Sequence, residues 1–208
     1  MVLSNYLEAY QAQRNSMKNI KLEFKEWSTY LITLLLANFF HEVGHCIPAW
    51  TQGYSAIPTP AKEYTLSSIP PGLANYVSLG GIISSIVFSV LIIMYFLKGS
   101  FRYNGALLAG GLAMPAIYTL RFIVSGRGHD GNEFQEAQSA LGFSYSGHFV
   151  DWVFLALLVP GIVIWIKKSK PHIKILGRLL IGAILSIIFI LLLQKLNNSI
   201  FDSIFLEN

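Results

Sequence analysis

The segment 41–45 reads His-Glu-Val-Gly-His and directly follows an apolar run. If it is helical, His41 and His45 lie one turn apart on the same face. Two imidazoles at this spacing can bind one Zn²⁺ ion. Glu42 lies about 100° around such a helix from His41, where it can act as general base on a water molecule without ligating the metal. The segment therefore predicts metal-assisted hydrolysis, with one zinc per chain, two histidine ligands and Glu42 as the catalytic residue.

A simpler interpretation is that the histidines are core residues hydrogen-bonded inside a helix bundle, with Glu42 paired to one of them. Ionisable groups at membrane depth are costly and usually functional. The position of this segment inside a long apolar run therefore favours the metal site. Cys46 follows His45 directly but points to another side of the helix, so we expect it to be a small apolar filler.

Composition predicts an integral, multi-pass membrane protein. The chain has 208 residues, of which 53% are hydrophobic and 12% charged, whereas soluble domains carry about 25% charged residues. The net charge is +4, but the basic residues lie at the ends of apolar runs, where they anchor helices in a lipid bilayer. This placement gives no reason to expect nucleic acid as a partner. About five runs are long enough to span: 28–49, 77–97, 105–124, 149–166 and 175–194.

The predicted fold is therefore an all-α membrane bundle in three parts. Residues 1–27 form an amphipathic or solvated N-terminal segment, residues 28–135 a three-span core, and residues 136–208 two further spans and a tail. Residues 51–76 interrupt the core with prolines, glycines and scattered aromatic residues, which predicts an irregular or short-strand insertion after the first span. An extended strand there could pair with an extended substrate.

A zinc site of this kind needs a third protein ligand. The second polar concentration of the chain lies at 125–134, where His129 and Asp130 are the best candidates and Glu133 and His148 are weaker ones. Two spans separate the segment 41–45 from Asp130, so both polar groups should emerge on the same face of the membrane. The residues alone leave His129 and Asp130 open as alternatives.

The chain resembles the site-2 protease family of intramembrane zinc metalloproteases over about residues 30–135. The segment 41–45 is similar to the family's first motif, and Asp130-Gly131 is similar to the Asp-Gly of its second motif. Leu79-Gly80-Gly81 resembles the family's glycine-containing segment. The chain departs from the family in having His129 where leucine usually precedes Asp-Gly, and in lacking an upstream Asn-Pro.

The resemblance implies that His41, His45 and Asp130 hold the zinc, with His129 as the alternative third ligand, and that Glu42 is the general base. It implies a membrane-protein substrate cleaved in or near a transmembrane segment. Two alternatives remain: a membrane zinc hydrolase acting on soluble peptides, and a non-catalytic metal-binding scaffold or transporter. The distribution of basic loops places the site on the non-cytoplasmic side, whereas the family usually has its metal near the cytosol.

Overall fold

The computed structural model describes residues 2–98, 104–126, 129–142, 148–169 and 173–205. Within these ranges the chain is almost entirely helical, apart from residues 52–70, which contain one small hairpin between turns. In order, the elements are α1 (Val2–Thr51), β1 (Ala56–Pro58), β2 (Glu63–Thr65), α2 (Pro71–Lys98), α3 (Asn104–Gly111), α4 (Ala113–Ser125), α5 (His129–Leu141), α6 (Phe149–Ser169), α7 (Ile173–Asn197), a π-helical turn (Asn198–Asp202) and α8 (Ser203–Phe205).

Among the described residues, four helices are long and apolar enough to cross a membrane, or five if one bent pair is a single span. The bent pair is α3 and α4, whose axes differ by 52°. Pro115 accounts for the break, because it has no N–H to donate to the carbonyl of Gly111, four residues earlier. The helical, multi-pass prediction agrees with these candidates, and the predicted span 105–124 is a broken helix.

The boundaries of the first and last spans differ from the sequence prediction. Helix α1 is 50 residues long and continues through residue 27, so the N-terminal segment and the first span form one helix. Pro48 lies inside α1, which ends one turn later at Thr51. At the other end, α7 contains the whole of the predicted span 175–194, and helix continues beyond 194 to Phe205 within the candidate span Ile187–Phe205.

The predicted short-strand insertion is present as an antiparallel hairpin, here defined as residues 56–65. Ile57 pairs with Tyr64, and Pro58 pairs with Glu63. The base of the hairpin packs on a buried apolar cluster shared with α1 and α2. The buried members of this cluster are Cys46, Ala49, Ala56 and Val77. The hairpin is therefore packed against the same two helices that carry the segment 41–45 and its neighbours.

Helices α1 and α2 cross at two glycines, Gly44 and Gly80. A β-carbon on either residue would collide with the backbone of the other, so only glycine permits this approach. A second apolar cluster joins α2, α5 and α6 through buried Ile82, Phe134 and Phe154. These contacts place the first half of α2 next to the histidines of α1, and α5 against α2.

Candidate metal centre

The two histidines of α1 meet in the protein interior. His41 and His45 are 6% and 5% exposed, and their Nε2 atoms lie 3.0 Å apart. The rings are nearly perpendicular, at 87°. Two Nε2 ligands at about 2.0–2.1 Å from one tetrahedral zinc would be roughly 3.3 Å apart. The pair is therefore close to the geometry of two ligands directed at one ion.

The partner of His45 Nδ1 defines which ring nitrogen carries the proton. Nδ1 donates to the carbonyl oxygen of Val77 at 2.7 Å, since a carbonyl oxygen can only accept. In the neutral ring, Nε2 of His45 therefore carries a lone pair. His41 Nδ1 lies 2.9 Å from the hydroxyl of Ser85, and Ser89 in turn donates to the Ser85 carbonyl. Metal-binding histidines typically use their second nitrogen in this way.

This donor set fits a cation between the two rings. If His41 Nδ1 donates to the Ser85 hydroxyl, two Nε2 lone pairs face each other at 3.0 Å and repel unless a metal ion or a proton lies between them. If the Ser85 hydroxyl donates instead, His41 can share its Nε2 proton with His45, which is the core-histidine alternative. The two arrangements differ in whether the site retains a metal.

Two carboxylates complete the cluster. Ligand atoms of Glu42, His45 and Glu63 all lie within 4.8 Å of one another, a spacing that could hold a metal ion. Glu42 is buried and Glu63 half-buried. Two carboxylates this close disfavour each other's charge unless a cation or a proton lies with them. His41 is not one of these three residues and joins them through its Nε2 contact with His45. We call His41, Glu42, His45 and Glu63 together the metal-site cluster.

Glu63 is a candidate metal ligand that the sequence analysis did not identify. It comes from strand β2, where it is paired with Pro58, and no spacing rule connects it to the segment 41–45. Only the composition of the insertion 51–76 could have drawn attention to Glu63, because Lys62 and Glu63 are its only charged residues.

The hairpin is fixed to α1 through its first strand and its turn. Asn38, one turn before His41, donates a hydrogen bond to the carbonyl of Pro60 in the hairpin turn. Trp50 donates its indole N–H to the Ala56 carbonyl at 2.8 Å. These contacts hold β1 and the turn against the helix that carries both histidines.

The end of the chain holds the other strand of the hairpin. Tyr64 donates its hydroxyl proton to Asp202 at 2.7 Å, and Asn197 donates to the Tyr64 oxygen at 3.1 Å. Burial, followed by the hydrogen bond to Asp202 and the charge of Asp202, raises the pKa of Tyr64 to about 12, so the phenol stays protonated. Phe205 packs on the Tyr64 ring at 5.2 Å between centroids. The last candidate span, Ile187–Phe205, thus supports the strand that presents Glu63.

Gly81 makes room for the His45 ring. A β-carbon at this position would collide with the imidazole, its Nε2 atom included. The Leu79-Gly80-Gly81 segment, singled out in the sequence, therefore has two distinct contacts. Gly80 receives the backbone of α1, and Gly81 receives the side chain of His45.

The predicted third ligands lie at the start of α5. The backbone of this helix begins at His129 and Asp130, but their side chains lie outside the described part of the structure. Phe134, on the next turn, belongs to the same apolar cluster as Ile82. His148 lies 3.4 Å from Asp151, and Glu133 lies on α5; neither belongs to the metal-site cluster found among the described residues.

The choice between Asp130 and His129 can be tested by metal content. We expect Asp130→Asn to lower the zinc content of the purified protein more than His129→Gln does, because the resemblance assigns the aspartate as ligand. Elemental analysis of both variants beside the parent measures this directly. The reverse order would assign the third ligand to His129.

Comparison of the chain with profiles of known protein families, with curated proteins and with solved structures gives no match. What the chain is proposed to do therefore depends on the residues and geometry of the metal-site cluster.

Proposed function

We propose that the protein is an intramembrane zinc endopeptidase that hydrolyses peptide bonds in or near transmembrane segments of other membrane proteins. The observation that carries the proposal is the convergence of His41 and His45 Nε2, 3.0 Å apart, with Glu42 in the same buried cluster. His41, Glu42 and His45 lie within the candidate span Phe24–Thr51. Buried ionisable groups in such a helix are functional by default.

In this proposal His41 and His45 hold the zinc together with Asp130, or with His129 in its place. Zinc, when bound, supplies Lewis acidity towards the scissile carbonyl and makes water a stronger acid. Glu42 takes one proton from the attacking water and delivers it to the leaving amine. The water oxygen bonds to the carbonyl carbon as the C–N bond breaks, which leaves a carboxylic acid and an amine.

The hairpin supports a role in holding an extended substrate. The Thr59 N–H donates to the Lys62 carbonyl, and the Leu66 N–H donates to the Ser55 carbonyl. In this register the hydrogen-bonded pairs of the ladder are 59/62, 57/64 and 55/66. By alternation, the main-chain groups of Glu63 and Thr65 point away from β1. This edge of β2, beside the metal-site cluster, could pair with an unwound stretch of substrate, whose carbonyls are no longer hidden in helical hydrogen bonds.

Metal removal tests the proposal. The full chain is reconstituted in liposomes with a membrane-anchored reporter substrate, and cleavage is followed by gel. We expect a chelator to reduce cleavage to background, because the attack on the carbonyl depends on the metal, and we expect added Zn²⁺ to restore it. The matched control is the same peptide sequence supplied in solution.

Three outcomes separate the candidates. Zinc-dependent cleavage of the anchored reporter alone supports intramembrane proteolysis. Equal or preferred cleavage of the soluble peptide would assign the protein as a hydrolase of soluble peptides. A zinc-loaded protein that cleaves neither would favour the non-catalytic metal-binding scaffold.

A further inference from the structure

A catalytic zinc site keeps one coordination position open for water or substrate. His41, His45 and one ligand from the start of α5 would already supply the three protein ligands of such a site. Glu63 adds a carboxylate to the same cluster, within 4.8 Å of the ligand atoms of His45 and Glu42. It therefore lies close enough to His45 to act as a further ligand of a metal ion held there, and a fourth protein ligand would fill the position that a hydrolase needs to keep free.

The two strands of the hairpin are held by different parts of the chain. Strand β1 and the turn are bound to α1, through Trp50 and Asn38. Strand β2 is bound to the C-terminal segment, defined here as residues 197–205. These contacts are made by the two neighbours of Glu63 in the chain. Tyr64 forms hydrogen bonds with Asp202 and Asn197, and the Lys62 Nζ atom lies 3.4 Å from an Asp202 carboxylate oxygen.

The contacts of Tyr64 hold β2 on the C-terminal segment more strongly than the Lys62–Asp202 ion pair does. Its side chain is 3% exposed and its hydroxyl is engaged both as donor and as acceptor. The Lys62–Asp202 pair is partly exposed, at 42% and 35%, and exposed ion pairs contribute little. Because Tyr64 follows Glu63 directly, losing its contacts with the C-terminal segment would free β2 to move Glu63 away from the histidines.

We propose that Glu63 is a displaceable metal ligand, and that the contact of Tyr64 with the C-terminal segment holds it on the metal and keeps the enzyme self-inhibited. Self-inhibition rests on the proposed protease function. The role of Glu63 as a metal ligand does not depend on catalysis. A substrate strand that pairs with the edge of β2 would compete with this closed arrangement.

The test compares Glu63→Gln and Tyr64→Phe with the parent in the full-length, detergent-solubilised protein. Zinc affinity is measured by competition with a chelator. We expect Glu63→Gln to weaken zinc binding at least about tenfold, as loss of even an indirect metal partner commonly does. Tyr64→Phe should weaken it less, because Glu63 is still present. Tyr95→Phe removes a hydroxyl from an exposed tyrosine of α2 and should leave zinc affinity unchanged.

Proteolysis of the anchored reporter at saturating zinc is the second measurement. We expect Tyr64→Phe to raise the cleavage rate several-fold, and Tyr95→Phe to leave it at the parent rate. If Glu63→Gln does not fold, Glu63→Asp keeps the charge, shortens the reach, and should lower zinc affinity in the same direction.

The outcomes separate the two proposals. Unchanged zinc affinity in Glu63→Gln, with cleavage intact, overturns the ligand role and leaves the protease standing. Weakened affinity in a protein that cleaves nothing supports the ligand role and removes the protease. Weakened affinity with a cleavage rate that falls in Tyr64→Phe makes Glu63 a permanent ligand and overturns self-inhibition. A parent that binds no metal overturns both proposals.

Discussion

Glu42→Gln is expected to lower the rate of peptide hydrolysis by about 10²–10⁴-fold, which is the usual contribution of a general base. The amide has nearly the same shape as the carboxylate but cannot take a proton from water. Zinc should stay bound, because Glu42 is assigned to proton transfer and the histidines to the metal. Cleavage of the membrane-anchored reporter and zinc content, measured on the same preparation, check both parts.

Glu26→Gln is the matched control for this variant. It makes the same change on the same helix, about four turns before Glu42, and should cleave at the parent rate. Full turnover in Glu42→Gln would show that another group accepts the proton. Loss of zinc together with activity would instead make Glu42 a ligand, as its distance from His45 and Glu63 also permits.

Gly81→Ala should disrupt the metal centre without changing any polar residue. The added methyl group collides with the His45 imidazole, so either the ring or helix α2 must move. Overpacking of this kind costs about 1–3 kcal/mol, which corresponds to roughly a five- to 150-fold loss of zinc affinity if it falls on the bound state. Chelator competition measures the affinity, and thermal unfolding shows whether the fold itself is affected.

Gly72→Ala makes the same substitution in the first turn of α2, where a β-carbon meets nothing within 4 Å. It should keep the zinc affinity of the parent. A Gly81→Ala protein that also binds zinc normally would mean that α2 can shift at no cost. The close packing of Gly81 on His45 would then have no role in positioning the ligand.

The histidines could be predicted because their relationship is local. A spacing of four residues on a helix defines a shared face whatever the rest of the chain does, and the structure brings His41 and His45 into contact. The roles assigned to them, and to Glu42, stay predictions. The apolar runs likewise indicated the membrane helices, since length and composition suffice for that purpose.

Glu63 could not be predicted because its position depends on contacts distant in sequence. The hairpin reaches the site through Asn38, and β2 is supported by Asp202, 138 residues after Tyr64. Neither contact leaves a periodic pattern. An isolated glutamate in a proline-rich insertion looks like any solvated loop residue until the strands are paired and docked.

The unbroken length of α1 has a geometric consequence. At 1.5 Å per residue its 50 residues measure about 75 Å, whereas the hydrocarbon core of a bilayer is about 30 Å thick. The part before Phe24, where the candidate span begins, is about 33 Å long. Because it continues the span without a break, the far end lies about 58 Å from His41, and a tilt of 10° at the histidines displaces it by about 10 Å. Movements of His41 and His45 are thereby magnified at the far end of the helix, outside the candidate span.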